Sequence, residues 1–315
     1  MSEFLFSINV TMPIFLVMVL GYALKQKGML TDDFVTVANK FNFKVTLPVM
    51  LFRDLSAVNI RTDFDLKFVL FCAVASSVCF WMIWAGARLF VSPSLRGAFV
   101  QASFRSSAAV MGLAFISNIY GSSAMGPMMI IGAVPLYNIY SVIVLTFEAQ
   151  TDGNERQTDK IRQACINIFK NPIILSILLG ILSAGLDLDF PVVVDKTIQS
   201  VAQMATPLAL IGLGAGFEGK KALAKLRPTM AAAVIKLIGQ PLLFVPLAAW
   251  MGFTGEKMIA ILIMLAAPAT PSCYIMAKNM KNDGVLTSSI VVVTTVLAAV
   301  TLTFWIYVLK VKGWI

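Results

Sequence analysis

The sequence predicts an all-α integral membrane protein of ten transmembrane helices, arranged as two inverted five-helix repeats with the fourth and ninth helices broken near the midplane. Three observations predict it. Of 315 residues, 58% are hydrophobic and 13% charged, more apolar side chain than one water-facing domain can bury. The apolar residues fall into ten runs of roughly 20 residues, the length a helix needs to cross a bilayer. Finally, landmarks of the first half recur in the second at one constant offset.

The runs cover residues 4–24, 33–56, 66–90, 96–120, 124–148, 167–186, 192–217, 228–251, 257–279 and 284–309. The first begins Met1-Ser2-Glu3, without the basic start or small-residue cleavage site of a signal peptide, and reads as a mature helix. The second opens at Asp32-Asp33, which lacks the partner carboxylates of a metal site and fits a helix start. Between the fifth and sixth runs, Gln150 to Gln163 is charge-rich and joins the halves as a cytoplasmic loop or surface helix. The domain division is therefore 1–149, a linker at 150–166, and 167–315. In the seventh run, Gly212 and Gly216 form a GxxxG close-packing face. The stretch Gly214 to Lys221 nearly spells a P-loop, but Lys221 replaces the magnesium-binding Ser/Thr and no strand precedes it.

Pro13 to Gly21 (PIFLVMVLG) matches Pro172 to Gly180 (PIILSILLG) at an offset of 159 residues, and the same offset carries Pro48 onto Pro207. Five crossings are an odd number, so the second copy enters from the opposite side, an arrangement characteristic of transporters.

The loops set the orientation. With the N-terminus outside, cytoplasmic connections hold fourteen Lys and Arg against seven on the other side. The positive-inside rule thus places both termini on the non-cytoplasmic side of the cell (inner) membrane. It also accounts for the +9 net charge through anionic membrane lipid, with no nucleic acid partner. The absence of histidine and the unpaired spacing of Cys72, Cys79, Cys165 and Cys273 point to no metal site, no disulfide framework and no cofactor.

Two spans carry breaks. Pro268-Ala269-Thr270-Pro271-Ser272 falls in the middle of the ninth, where proline removes a helical hydrogen bond. Thr270 and Pro271 resemble an N-cap and first residue of a new half-helix running to about Asn279. The fourth span has Arg105-Ser106-Ser107 at equivalent depth. Half-helices beginning at the midplane aim positive N-terminal ends and free N–H groups at one place, which suits an anion.

Four charges lie inside predicted spans: Lys40, Lys44, Arg105 and Lys236. Lys40 and Lys236 lie near the cytoplasmic face and can snorkel to it. Arg105, beside the break, is the substrate-contact candidate; Lys44, on the face of Lys40 and Pro48, is an intermediate case. With no carboxylate near the midplane, such a site selects anions and lacks the usual group for proton or sodium coupling. The candidate binding set is Arg105, Ser106, Ser107, Lys44 and Pro268 to Ser272. An intramembrane enzyme would need buried catalytic groups, and no His, midplane Asp pair or Gly-x-Ser-x-Gly is present. A receptor that binds the anion without moving it stays open.

Pro13 to Leu30, Leu47-Pro48-Val49-Met50-Leu51-Phe52, Phe104-Arg105 with Met111-Gly112-Leu113, Asn171-Pro172, Thr206-Pro207-Leu208-Ala209-Leu210-Ile211-Gly212, Ala267-Pro268 and Ala277-Lys278 together resemble the auxin efflux carrier family. Its bacterial members include carriers assigned to malonate and malate. The resemblance implies that helices 1, 2, 6 and 7 form a dimerising scaffold and helices 3–5 and 8–10 a transport domain. Helices 4 and 9 would cross at their broken segments within it, and access would alternate by an elevator-like movement. It also implies a polar site residue at Asn138 of Pro135-Leu136-Tyr137-Asn138. Relatives usually carry Asn where this chain has Ser107. The expectation is a secondary transporter of small organic anions such as malonate or malate, working as a homodimer.

Overall fold

The computed structural model describes residues 2–57, 65–108, 116, 125–149, 165, 166 and 169–315. All regular elements among them are helical. The linker at 150–166 lies almost entirely outside the described residues, as does nearly all of the second half of the fourth span, including Met111-Gly112-Leu113.

The helices are α1 (Ser2–Gln26), α2 (32–56), α3 (Leu66–Phe90), α4 (Pro93–Phe104), α5 (Met125–Phe147), α6 (Pro172–Gly185), α7 (Val192–Ala215), α8 (Leu226–Trp250), α9 (Gly255–Ala266), α10 (Ser272–Asn279) and α11 (Gly284–Val311). Five of them, α3, α5, α7, α8 and α11, are long and apolar enough to cross a bilayer. Starts follow local chemistry. Asp65 and Asp283 accept from the amides of Phe68 and Leu286, Thr31 from that of Phe34, and Asn171 from that of Ile173. Pro93 and Pro172 occupy first-turn positions where no N–H is required.

Prolines shape the middles. In α2 and α8 a π-helical turn (Asn42–Thr46, Ile235–Gly239) immediately precedes Leu47-Pro48 and Gln240-Pro241. The wider turn absorbs the acceptor that proline cannot use. In α7 the helix is interrupted at Met204, shortly before Pro207.

Two groups of contacts stand out, and α1 packing along α11 joins them: in one, α1 runs against α7 and α2 against α6 and α7; in the other, α3, α4 and α5 pack together and α8 to α11 pack around them. Glycines set the closest approaches. A Cβ on Gly21 of α1 would sit 2.4 Å from the Ile211 carbonyl oxygen of α7, and one on Gly180 of α6 would sit 3.0 Å from that of Phe52 in α2. The offset of 159 maps Gly21 onto Gly180 and Phe52 onto Ile211. At the centre of the second group, every residue of α9 from Met258 to Ala266 is buried, as a helix apolar on all faces must be. A knot of Phe80, Phe104, Tyr137 and Tyr140, with Phe80 and Tyr140 stacked at 4.4 Å, holds the end of α4 against α3 and α5.

Candidate functional site

Two helices end inside the protein. α4 stops at Phe104, followed by extended backbone through Arg105, and α9 stops at Ala266, with a non-helical segment through Pro271 before α10. The segments cross in contact: the Ser107 amide donates to the Pro268 carbonyl at 2.9 Å.

Ending a helix in the interior strands carbonyls that water cannot reach, and each stranded group costs about 1–3 kcal/mol unless paired. The pairing here is close to complete. Gln240 Nε2 donates to the Ser103 carbonyl at 2.6 Å, and Lys236 Nζ donates to the carbonyls of Leu265 at 2.9 Å and Phe104 at 3.4 Å. Tyr137 Oη donates to the Met264 carbonyl at 2.9 Å, and Ser106 Oγ lies 3.3 Å from those of Ile263 and Ala267. The Ala269 amide donates to Thr294 Oγ1 of α11 at 3.2 Å.

The predicted candidates thus separate by role. Ser107, Thr270, Pro271 and Ser272 line one small cavity of about 30 Å³, closed from the other side by Ile14, Leu47, Met50, Ala205, Thr206 and Ala209 of α1, α2 and α7. That is room for about one water. Arg105 is 5% exposed and points the other way, donating from Nη2 to Asn138 Oδ1 at 2.8 Å and from Nη1 to Met276 Sδ at 2.7 Å. Asn138 is oriented in turn by its Nδ2 donating to the Val134 carbonyl at 2.9 Å. Ser106, Pro268 and Ala269 are held in the crossing's own hydrogen bonds.

Two expectations are corrected. Lys44 is exposed on the outer surface of α2 and does not line the cavity. The π-turn that carries it also turns Asn42, Phe43 and Thr46 inward, leaving Lys44 on the opposite face. Lys236, expected to reach the cytoplasmic face, is 0% exposed and sits at the crossing. Its π-turn aims the side chain at the ends of α4 and α9, where stranded carbonyls replace hydration. The half-helix α10 also starts one residue later than predicted: Pro271 is its cap, and the Thr270 hydroxyl lies 3.2 Å from Ser272 Oγ. Lys236, Gln240, Tyr137, Met276 and Thr294 were not among the candidates. A signal existed for the first two, a Lys and a Gln four apart just before Pro241, placing both on one helix face.

The charges close into a simple account. Each helix terminus carries about half a unit charge, negative at the C-terminal end. The ends of α4 and α9 together therefore carry about one negative charge, which the Lys236 ammonium offsets. Arg105 has no such counterpart: among the described residues no carboxylate pairs with it, and its partners are neutral. The positive start of α10 faces the same crossing.

Apolar helices of spanning length, with interrupted helices meeting in a buried polar crossing, define a multi-pass membrane transport protein. The sequence profile of the family described as "Membrane transport protein" matches residues 6–306, and the chain belongs to that family, the auxin efflux carriers. Among relatives, the Escherichia coli K12 protein named uncharacterized transporter YfdV is 24% identical over 213 residues, 66% of this chain and 68% of its own. Its counterparts in Escherichia coli O157:H7 and Shigella flexneri match to the same extent.

Proposed function

We propose that the protein is a secondary transporter of small organic anions, with dicarboxylates such as malonate or malate as the substrate class, bound where the two interrupted helices cross. The observation that carries this reading is Arg105: a buried guanidinium whose partners among the described residues are neutral, behind the loop whose Ser107 joins Thr206, Thr270 and Ser272 in lining a cavity at the positive start of α10. A net positive site without a carboxylate attracts anions and repels cations.

The cavity is too small for the seven heavy atoms of malonate. Binding therefore requires α1, α2 and α7 to separate from the crossing, which is the movement an elevator performs. On this reading α1, α2, α6 and α7 form the scaffold, through which two copies pair, and the remaining helices move. Two inverted five-helix repeats, with ten crossings and both termini outside, underlie the arrangement. The equivalence of Gly21 against Ile211 with Gly180 against Phe52 supports that repeat, because sequence match and packing share one offset.

The test is flux into proteoliposomes across a panel of mono- and dicarboxylates, with the membrane potential clamped on and off. Uptake of malonate or malate is expected to disappear in Arg105→Ala; full activity in that variant would sink the assignment. An anion moving alone gains about 2.3 kcal/mol per charge per 100 mV outward, so accumulation beyond its electrochemical equilibrium demonstrates coupling.

A further inference from the structure

Half-helix C-termini in transporters commonly gather carbonyl oxygens around a coupling cation. Here the carbonyls of Phe104 and Leu265, the last turns of α4 and α9, converge with Gln240 Oε1 on one point, and the atom at that point is Nζ of Lys236, at 3.4, 2.9 and 3.4 Å. The oxygens come from three helices: α4, some 130 positions before Lys236, Lys236's own helix α8, and α9, which follows it. Gln240 belongs to the same cradle by its other end, since its Nε2 is fixed on the Ser103 carbonyl. The side chain of Lys236 is fully buried, and among the described residues no carboxylate pairs with it. The titratable groups facing it are the thiols of Cys79 on α3 and Cys273 on α10.

We propose that Lys236 is a tethered cation: its ammonium fills an oxygen-lined site for a monovalent cation, so that the crossing is assembled by the chain's own charge in place of bound sodium or potassium. The assignment is a positioning role. Lys236 holds the ends of the two interrupted helices together, and it does so whichever solute is carried. The reasoning is electrostatic. Two C-terminal ends and an amide oxygen repel one another in a medium of low polarity, and only a positive charge among them makes the cluster stable. A covalently attached side chain never diffuses away, so the crossing stays assembled at any sodium concentration.

The experiment compares thermal unfolding of the purified full-length protein in choline chloride with that in sodium, potassium or methylammonium chloride. The wild-type midpoint is expected to be the same in all four; a saturable rise with sodium or potassium would overturn the proposal. Lys236→Ala opens the cradle without filling it. Its midpoint is expected to fall by several degrees in choline and to recover saturably with one of the small cations. Lys236→Met fills the same volume without charge, and is expected to fall equally and show no recovery. Equal, cation-insensitive loss in both variants would show ordinary packing and reject the tethered cation. Should Lys236→Ala not fold, Lys236→Gln decides: it keeps donors for the carbonyls but no charge, so an unchanged midpoint rejects the proposal and a lowered one supports it. Transport is not a readout, so failure here leaves the anion assignment at Arg105 untouched.

Discussion

Gly21 lies so close to Ile211 that a single added Cβ would come within 2.4 Å of the Ile211 carbonyl oxygen and 2.9 Å of its Cα. Both atoms are backbone, which cannot swing aside, so α1 and α7 would have to separate. Gly21→Val is therefore expected to destabilise the protein by at least about 2 kcal/mol, in the range of overpacked interiors. Gly180→Val should do likewise against Phe52 and Leu55. Gly86 is the contrasting position, where the nearest atom is the flexible ring of Phe90 at 3.5 Å. Gly86→Ala should be neutral or stabilise by about 0.5–1 kcal/mol through helix propensity. Thermal midpoints in detergent check all three; a tolerated Gly21→Val would contradict the close approach.

Sequence reading succeeds where the signal is local. Many helix limits, and the ends of α4 and α9 at Phe104 and Ala266, follow from proline, glycine and hydropathy, which act locally. Arg105 was legible because a charge beside helix-ending residues has no cheap reading in lipid. Lys236 was not, since snorkelling and burial depend on which way a side chain points, and a π-turn of one extra residue rotates that direction. The outward direction of Lys44 in α2 was hidden for the same reason. The role of Ser106, bonding carbonyls of α9 some 160 positions away in the chain, needs the crossing itself.

Asn138 holds Arg105 through one charge-assisted hydrogen bond at 2.8 Å. Such bonds contribute about 1.5–3 kcal/mol, or roughly 10- to 150-fold in a rate or affinity that depends on guanidinium position. Asn138→Leu is therefore expected to lower anion uptake by one to two orders of magnitude, and Arg105→Lys by a comparable factor, because an ammonium cannot reach Asn138 and Met276 with two separate donors. Lys44→Gln is the control. Its side chain is exposed and outside the cavity, so uptake should stay within about twofold of wild type. Initial rates in proteoliposomes at matched protein density distinguish these cases.

Gln240 anchors the end of α4 by donating to the Ser103 carbonyl at 2.6 Å, with both residues buried. Gln240→Leu keeps the bulk but leaves that carbonyl stranded, a cost of about 1–3 kcal/mol. Gln240→Glu keeps the oxygen near Lys236 at 3.4 Å while removing the donor. The glutamate should neutralise Lys236 and lower the net positive charge at the crossing, so anion uptake is expected to fall more in Gln240→Glu than its stability does. Paired measurements of uptake and unfolding midpoint read the difference, and equal effects on both would argue that the charge at the crossing is irrelevant to transport.

Asp65 links the starts of α3 and α9: it caps α3 through the Phe68 amide at 3.0 Å and pairs with Lys257. The hydrogen bond from Lys257, followed by that from Phe68, holds its carboxyl below the ordinary carboxylate range. A carboxylate whose folded pKa is depressed contributes stability that is complete above its unfolded value, near pH 4, and fades as pH falls through the folded value. Asp65→Asn retains a good cap but loses the ion pair, so the difference between wild type and variant reports chiefly on that pair. Both side chains are partly exposed, with Asp65 at 24% and Lys257 at 38%, and water screens the attraction to less than about 1 kcal/mol. The midpoint gap should be small but positive at pH 7, shrink below pH 4, and be smaller in a Lys257→Met background, where the Phe68 amide still favours the charged carboxyl. A gap that instead widens on acidification would mean that the carboxyl is held protonated, contrary to the geometry at the head of α3.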